Sequence, residues 1–305
     1  MNKIILDILK TLVYFDRFNH PLTIEEIFAF MPFRYNLITV ENALSSLLND
    51  RVVFKTGEFY ALQDEPLMAD KRIAGHKTAI SQLAIAKKIA SLLSRFPYVQ
   101  TVAVSGSLSK FYADENTDID FFIITSANRL WIARTLMHFF KKLTFIAGKQ
   151  DWFCMNYYVD ENEMGIPEKS LFTAIEIATL LPLQGKDCFT KFMAANSWVN
   201  DYFPCYPFSN DAKEIEKGMI RTAIERILNL HFFDSLENRL MKVTDRRWKK
   251  KAAKSKNQNG SHSIGMAVSQ HFSKPDPKNF QQRILEEHEQ RLKQLVDSYN
   301  IVNVH

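Results

Sequence analysis

The sequence predicts an α+β (α/β) protein in which a small mixed sheet is flanked by helices. Three observations predict it. Short runs rich in Val, Ile, Phe and Tyr (101–105, 120–125, 152–159) alternate with longer stretches whose apolar residues recur at helical spacing. The 305 residues are 46% hydrophobic and 24% charged, with 24 Phe, enough apolar mass for packed cores over two or three domains. Nine Gly and ten Pro leave little room for low-complexity sequence.

The first 64 residues read as three helices and a hairpin. Ile5, Ile8, Leu9 and Leu12 mark the first helix, and Thr23 with Glu26 forms a capping box that opens a second running through Phe30. Val40, Leu44, Leu47 and Leu48 mark the third. Val52–Lys55 and Phe59–Leu62 then flank the turn Thr56-Gly57-Glu58. That order is winged-helix-like. The solvent face of the third helix carries Glu41, Asn42, Ser45, Ser46 and Asn49 and no cation, and residues 1–70 hold six Lys/Arg against ten Asp/Glu. Such a face is poorly suited to DNA phosphates, so a packing or docking role is expected of this module.

Residues 65–205 form the second predicted unit. A linker leads into a long helix ended by Pro97, followed by a strand over Thr101–Ser105 and a short helix within 106–113. Next come a strand from Asp118 to Thr125, a helix over 128–147 and a strand over Trp152–Val159. A helix over Leu171–Leu181 ends at Pro182. The third unit, 206–305, reads as mostly helical, interrupted near 257–277. Its last 95 residues carry 18 Lys/Arg against 12 Asp/Glu, so the basic excess of the chain lies there.

Several classes are disfavoured. No stretch approaches the roughly 18 apolar residues of a membrane span, and Asp7, Lys10, Asp16 and Arg17 break up the start of the chain, unlike a signal peptide. Cys154, Cys188 and Cys205 are odd in number and widely spaced, which predicts neither a disulfide framework nor a zinc site. A cytoplasmic location is expected, with no membrane partner.

The segment that carries chemistry is Val102-Ala-Val-Ser-Gly106-Ser107, ten residues, then Asp118-Ile119-Asp120-Phe-Phe-Ile-Ile. Gly106 at a strand end lets the backbone turn sharply and approach a ligand. The Ser107 hydroxyl and the amides opening the next helix can hold phosphate oxygens. Asp118 and Asp120, two residues apart on an extended chain, project together, a geometry suited to Mg²⁺ and polyphosphate. Left without a cation, two such acids at a buried sheet edge would repel.

This segment resembles the hallmark of the DNA polymerase beta-like nucleotidyltransferase superfamily. Cys154-Met-Asn156-Tyr157-Tyr158 and Leu171-Phe-Thr-Ala-Ile-Glu176 resemble an uncharacterised bacterial branch of it. The resemblance covers about residues 100–205 and implies a nucleotidyltransferase-type sheet. It further implies phosphate binding by Gly106 and Ser107, Mg²⁺ ligation and catalysis by Asp118 and Asp120, and transfer of a nucleoside monophosphate from ATP or another NTP to an acceptor that the sequence leaves open. Superfamily members usually carry a third carboxylate on a neighbouring strand. Alternation over 152–159 puts Trp152, Cys154, Asn156 and Tyr158 on one face, so Asn156 stands in the third metal position, with Asp151, Asp160 and Glu176 as alternatives. An amide there also allows a second reading, a degenerate regulator that binds nucleotide or a partner. Lys110 can reach a phosphate. The tract Arg246–Lys256, with seven cations and Trp248, suits nucleic acid, but a solvated helix end is the favoured reading.

Overall fold

The computed structural model describes residues 2–144, 153–230, 232–259, 265–276 and 278–302. The order three helices then hairpin is as predicted: α1 (Lys3–Asp16), α2 (Ile24–Ala29), α3 (Leu37–Asn49), β1 (Phe54–Thr56) and β2 (Phe59–Ala61). Thr23 and Glu26 form both halves of the capping box. Leu22 bridges Tyr60 and adds a third extended segment to the hairpin.

The linker expected after this module is absent, because α4 (Leu67–Leu93) begins directly after Pro66. The main sheet follows, six strands in the order β6-β3-β4-β5-β8-β7. Its centre is β3 (Val99–Val104), antiparallel to β4 (Asp120–Thr125), which is parallel to β5 (Cys154–Asp160). A parallel pair needs a crossover, and α5 (Leu130–Thr144) supplies it. Asn128, at φ 57, precedes α5, which therefore starts two residues later than predicted. The predicted residues 145–147 of that helix lie outside the described residues.

Two parts of the sheet depart from the sequence reading. The helix expected to run to Leu181 ends at Ala178 as α6 (Leu171–Ala178), and Leu181–Gln184 forms the edge strand β6. Pro182 is tolerated there because an edge strand has donors it need not use. The expected interruption near 257–277 holds a hairpin, β7 (Gly265–Val268) with β8 (Phe272–Asp276), that joins the sheet against β5. The remaining helices are α7 (Lys186–Ala195), α8 (Val199–Tyr202), α9 (Met219–Leu228), α10 (Phe232–Asn259) and α11 (Lys278–Val302).

Strand alternation sorts the core into two layers. Val102, Val104, Phe121, Ile123 and Tyr158 pack against α4 and α5, where Ala79, Ala86, Ala90 and Trp131 are buried. Ala103, Phe122, Ile124 and Val159 face α6, α7 and α8. This second layer continues without a break into α1, α2 and α3, and Ile284 and Tyr299 of α11 join it. The segment 1–64 is thus packed into the rest of the molecule. Among the described residues, no helix is long and apolar enough to cross a membrane.

Candidate functional site

The Gly-Ser segment forms a tight turn at the end of β3. Gly106 takes φ +71, a conformation that favours glycine, and Ser105 N–H donates to Asp120 O at 2.9 Å. A Cβ built on Gly106 would stand 2.9 Å from Asp120 Oδ2, so the turn backbone and that carboxylate are in contact. The helix expected over 106–113 is only a 3-10 turn, Leu108–Lys110. Phe111, at φ 54, ends it, so little helix dipole is available to a phosphate. Ser107 is exposed at the head of the turn.

Lys110 is held beneath the turn. Its Nζ donates to Gly106 O at 3.1 Å and pairs with Glu176 Oε1 at 2.8 Å. It therefore braces the loop from α6 instead of projecting toward a ligand. The N-terminal helices reach the same loop. Arg72 of α4, 4% exposed, donates to Phe111 O at 3.1 Å and to Glu26 Oε1 at 2.7 Å. The other oxygen of Glu26 accepts from Thr23 N–H. His20 packs edge-on to Tyr112, and burial together with the Arg72 and Lys110 charges pushes its pKa down to about 3.

Asp120 opens β4, whereas Asp118 lies before the strand and is exposed, with the buried Ile119 between them. Burial pushes the Asp120 carboxyl up to about 6. The Asp118 and Glu176 charges add to the rise, and the Cys154 thiol and Lys141 oppose it. A carboxylate held this way in a cluster of acids gains from a cation.

Asn156 also reaches Asp120, by a route the sequence did not reveal. The β4–β5 register passes from Phe121↔Met155 to Phe122↔Tyr157, so Asn156 is the extra residue of a β-bulge. The bulge corrects the expected face. Tyr158 sits in the opposite layer from the Asp120–Cys154 pair, and Trp152 lies outside the described residues. Bulges re-aim side chains, and here Asn156 Nδ2–H donates to Asp120 Oδ1 at 2.6 Å while its Oδ1 accepts from Cys154 Sγ–H at 3.2 Å. The amide meets Asp120 as a donor, its oxygen turned to the thiol. Burial and the Asp120 charge push the Cys154 thiol up to about 11, so it stays protonated.

Of the alternative third acids, Glu176 is paired with Lys110 and Asp151 lies outside the described residues. Asp160 ends β5 six residues beyond Cys154, roughly 20 Å along the strand. It is fully buried there, accepting from Asn128 N–H and Asn162 N–H with His271 Nδ1 at 3.0 Å. It cannot join Asp120. Among the described residues, no group of three or more His, Cys, Asp or Glu side chains is arranged to hold a metal.

The basic tract lies within α10 and does not end it, since that helix runs to Asn259. Arg246, Arg247, Lys249 and Lys250 are exposed, and Lys249 pairs with Asp245 at 2.7 Å. A groove of about 1070 Å³ runs from Phe111 along β6 between Lys87 of α4, Arg95 just beyond that helix, and the segment 209–216.

Compared with protein-family models, with curated proteins and with solved structures, the chain matches none.

Proposed function

We propose that this chain is a Mg²⁺-dependent nucleotidyltransferase of the polymerase beta-like kind, moving a nucleoside monophosphate from an NTP to an acceptor with release of pyrophosphate. The observation that carries the reading is the contact between Gly106 and Asp120. A polyphosphate lying on a turn with no side chain at Gly106 has a carboxylate beside it, as a metal-bridged triphosphate requires. Asp118 and Asp120 would hold Mg²⁺. This ion commonly takes one or two carboxylates and completes its shell with phosphate oxygens and water. The bound ion would neutralise charge on the departing pyrophosphate and acidify the attacking hydroxyl.

The chain's own residues do the positioning. Ser107 offers a hydroxyl to a phosphate oxygen. Lys110, tied to Glu176, keeps the turn in shape. Asn156 orients Asp120 by its amide N–H.

A second reading, a nucleotide-binding or partner-binding regulator without turnover, is favoured by one observation. Asn156 stands on Asp120 as a donor, so that position supplies no carboxylate to deprotonate an acceptor.

The test is pyrophosphate release from ATP, GTP, CTP and UTP with Mg²⁺ and a panel of hydroxyl and phosphate acceptors, comparing wild type with Asp120→Ala. Release from wild type alone is the expected result. Mg²⁺-dependent binding of an NTP without release under any acceptor supports the regulator. Neither binding nor release sinks both.

A further inference from the structure

We infer that the exposed face of α10 binds the phosphate backbone of a polynucleotide, and that the strand held there is the acceptor of the proposed transfer. The binding half stands on α10 itself, and the acceptor half rests on the nucleotidyltransferase reading.

Arg239, Lys242, Arg246, Lys249 and Lys250 recur at intervals of three and four, so they share one side of the helix. All five are exposed, as is Arg247 at the edge of that side. From Arg239 to Lys250 the stripe is about 16 Å long, the length of roughly five phosphates along one strand of a duplex. Lys249 pairs with Asp245, and the other five cations have no ion pair among the described residues. The helix dipole does not account for them, since it acts within the last turn and α10 runs on to Asn259. Like charges three and four residues apart weaken a helix when nothing answers them, so this stripe gains from a polyanion.

The surroundings do not cancel the charge. The acids of α10 are Asp234 in its first turn, Glu237 and Asp245. Glu237 is buried and accepts from Trp131 N–H and Ile132 N–H at the start of α5. The helix α5 contains no acid, and β7 contains no charged residue. Instead, α5 closes with Lys141, partly buried, and Lys142, exposed.

The stripe also has a direction. Glu237 meets the start of α5, and Leu240 packs with Leu136 on the same cluster at Ile132. The two helices therefore run side by side in the same sense, and residues 246–250 come level with the last turn of α5. That turn stands at the candidate site. The Phe140 ring packs edge-on to Phe153 at 5.4 Å, and Phe153 directly precedes Cys154, the cross-strand neighbour of Asp120. Asp120 feels the Lys141 charge, which opposes the rise in its pKa. A strand lying along α10 is led over the end of α5 toward Asp120. Its terminal hydroxyl oxygen would bond to the α-phosphorus of the NTP as the bond to pyrophosphate breaks, and the hydroxyl proton would pass to water.

An anionic bilayer fits this helix less well. A helix lying in a bilayer buries an apolar face, but Leu240 and Met241 on the far side are packed into the protein.

Fluorescence anisotropy of the full chain in EDTA tests the binding half, with a short labelled RNA strand, a DNA strand and a DNA duplex as probes. Binding is expected, and its logarithm should fall against log salt with a slope of about −4. Arg246→Glu/Lys250→Glu should weaken it at least about tenfold with no loss of melting temperature, since both side chains are exposed. Lys77→Glu/Lys88→Glu on α4, an equal change of net charge, should bind like wild type. The probe held most tightly identifies the acceptor class. No binding to any probe, or equal losses in the two variants, would overturn the proposal. So would capture of the chain by phosphatidylglycerol vesicles, through Arg246 and Lys250, in place of any strand.

Extension of the labelled strand with Mg²⁺ and each NTP tests the acceptor half. It is expected in wild type, lost in Asp120→Ala although the strand stays bound, and reduced at low strand concentration in the α10 variant. Pyrophosphate release to another acceptor, with the bound strand never extended, refutes the acceptor half and leaves the nucleotidyltransferase reading standing. Failure to bind any NTP sinks that reading and the acceptor half together, while strand binding on α10 is judged by anisotropy alone.

Discussion

The two ends of the central sheet treat their acids in opposite ways. At the end of β5, Asp160 is fully buried and saturated, taking two backbone N–H groups and the ring of His271. Nearby Glu237 caps the start of α5 through Trp131 N–H and Ile132 N–H. At the other end, Asp118 is exposed, and Asp120 receives one side-chain amide and stands against a protonated thiol. Asp120 also feels two further acids, and its carboxyl is pushed up to about 6. The first arrangement is finished by the chain itself and holds the fold. The second keeps unspent capacity for a cation, which is what separates a candidate site from a structural acid.

The largest effect expected from this contrast is on stability. Asp160→Ala leaves two backbone amides and His271 without their acceptor and should cost about 3–5 kcal/mol, whereas Asp118→Ala should stay within about 0.5 kcal/mol. Denaturant unfolding measures both, and similar losses at the two positions would erase the distinction.

Next is acid sensitivity. The folded pKa of His20 is lowered to about 3, so the unfolded chain binds its proton first as pH falls. Stability from this group is present above about pH 6.5 and is lost as pH falls toward 3, about 2 kcal/mol by pH 5. His20→Phe should flatten that part of the profile, and an unchanged slope would remove His20 as its source.

A smaller effect is expected at the turn. Gly106→Ala puts a Cβ against Asp120 Oδ2 at an unfavourable φ and should cost about 1–2 kcal/mol. It should also weaken Mg²⁺–NTP binding more than it weakens the fold, as thermal shifts with and without ligand would reveal. Smallest is Asn156→Asp, which sets a third acid beside Asp120. Without metal it should lose about 1 kcal/mol, and Mg²⁺ should return that loss. A melting temperature that ignores Mg²⁺ would argue that this end of the sheet does not collect cations.

What could be read from the sequence was what is local in it. The Gly106–Asp120 segment is one strand-turn-strand, so its residue types and spacing determine its geometry, and the helix periodicity of α1 through α6 stands out for the same reason. The rest depends on pairing between distant segments. The bulge at Asn156 exists only as a register between β4 and β5, and strict alternation therefore assigned Tyr158 to the wrong face. β6 was hidden by Pro182, and the β7–β8 hairpin by strands of four and five residues. The pairing of Lys110 with Glu176 spans 66 positions and leaves no local mark. That residues 206–305 are mostly helical was legible, but which face of α9 would be buried was set by backbone acceptors at Ser94 and Val99.

Glu26 joins two tasks that sequence distance would separate. One oxygen starts its own helix, and the other steadies the guanidinium that grips Phe111 O. Loosening the first turn of α2 therefore slackens the loop that follows Ser107, without any change to the loop's own residues. Substitutions far upstream can in this way alter how firmly this loop is held, and a survey of variants confined to the loop would miss them.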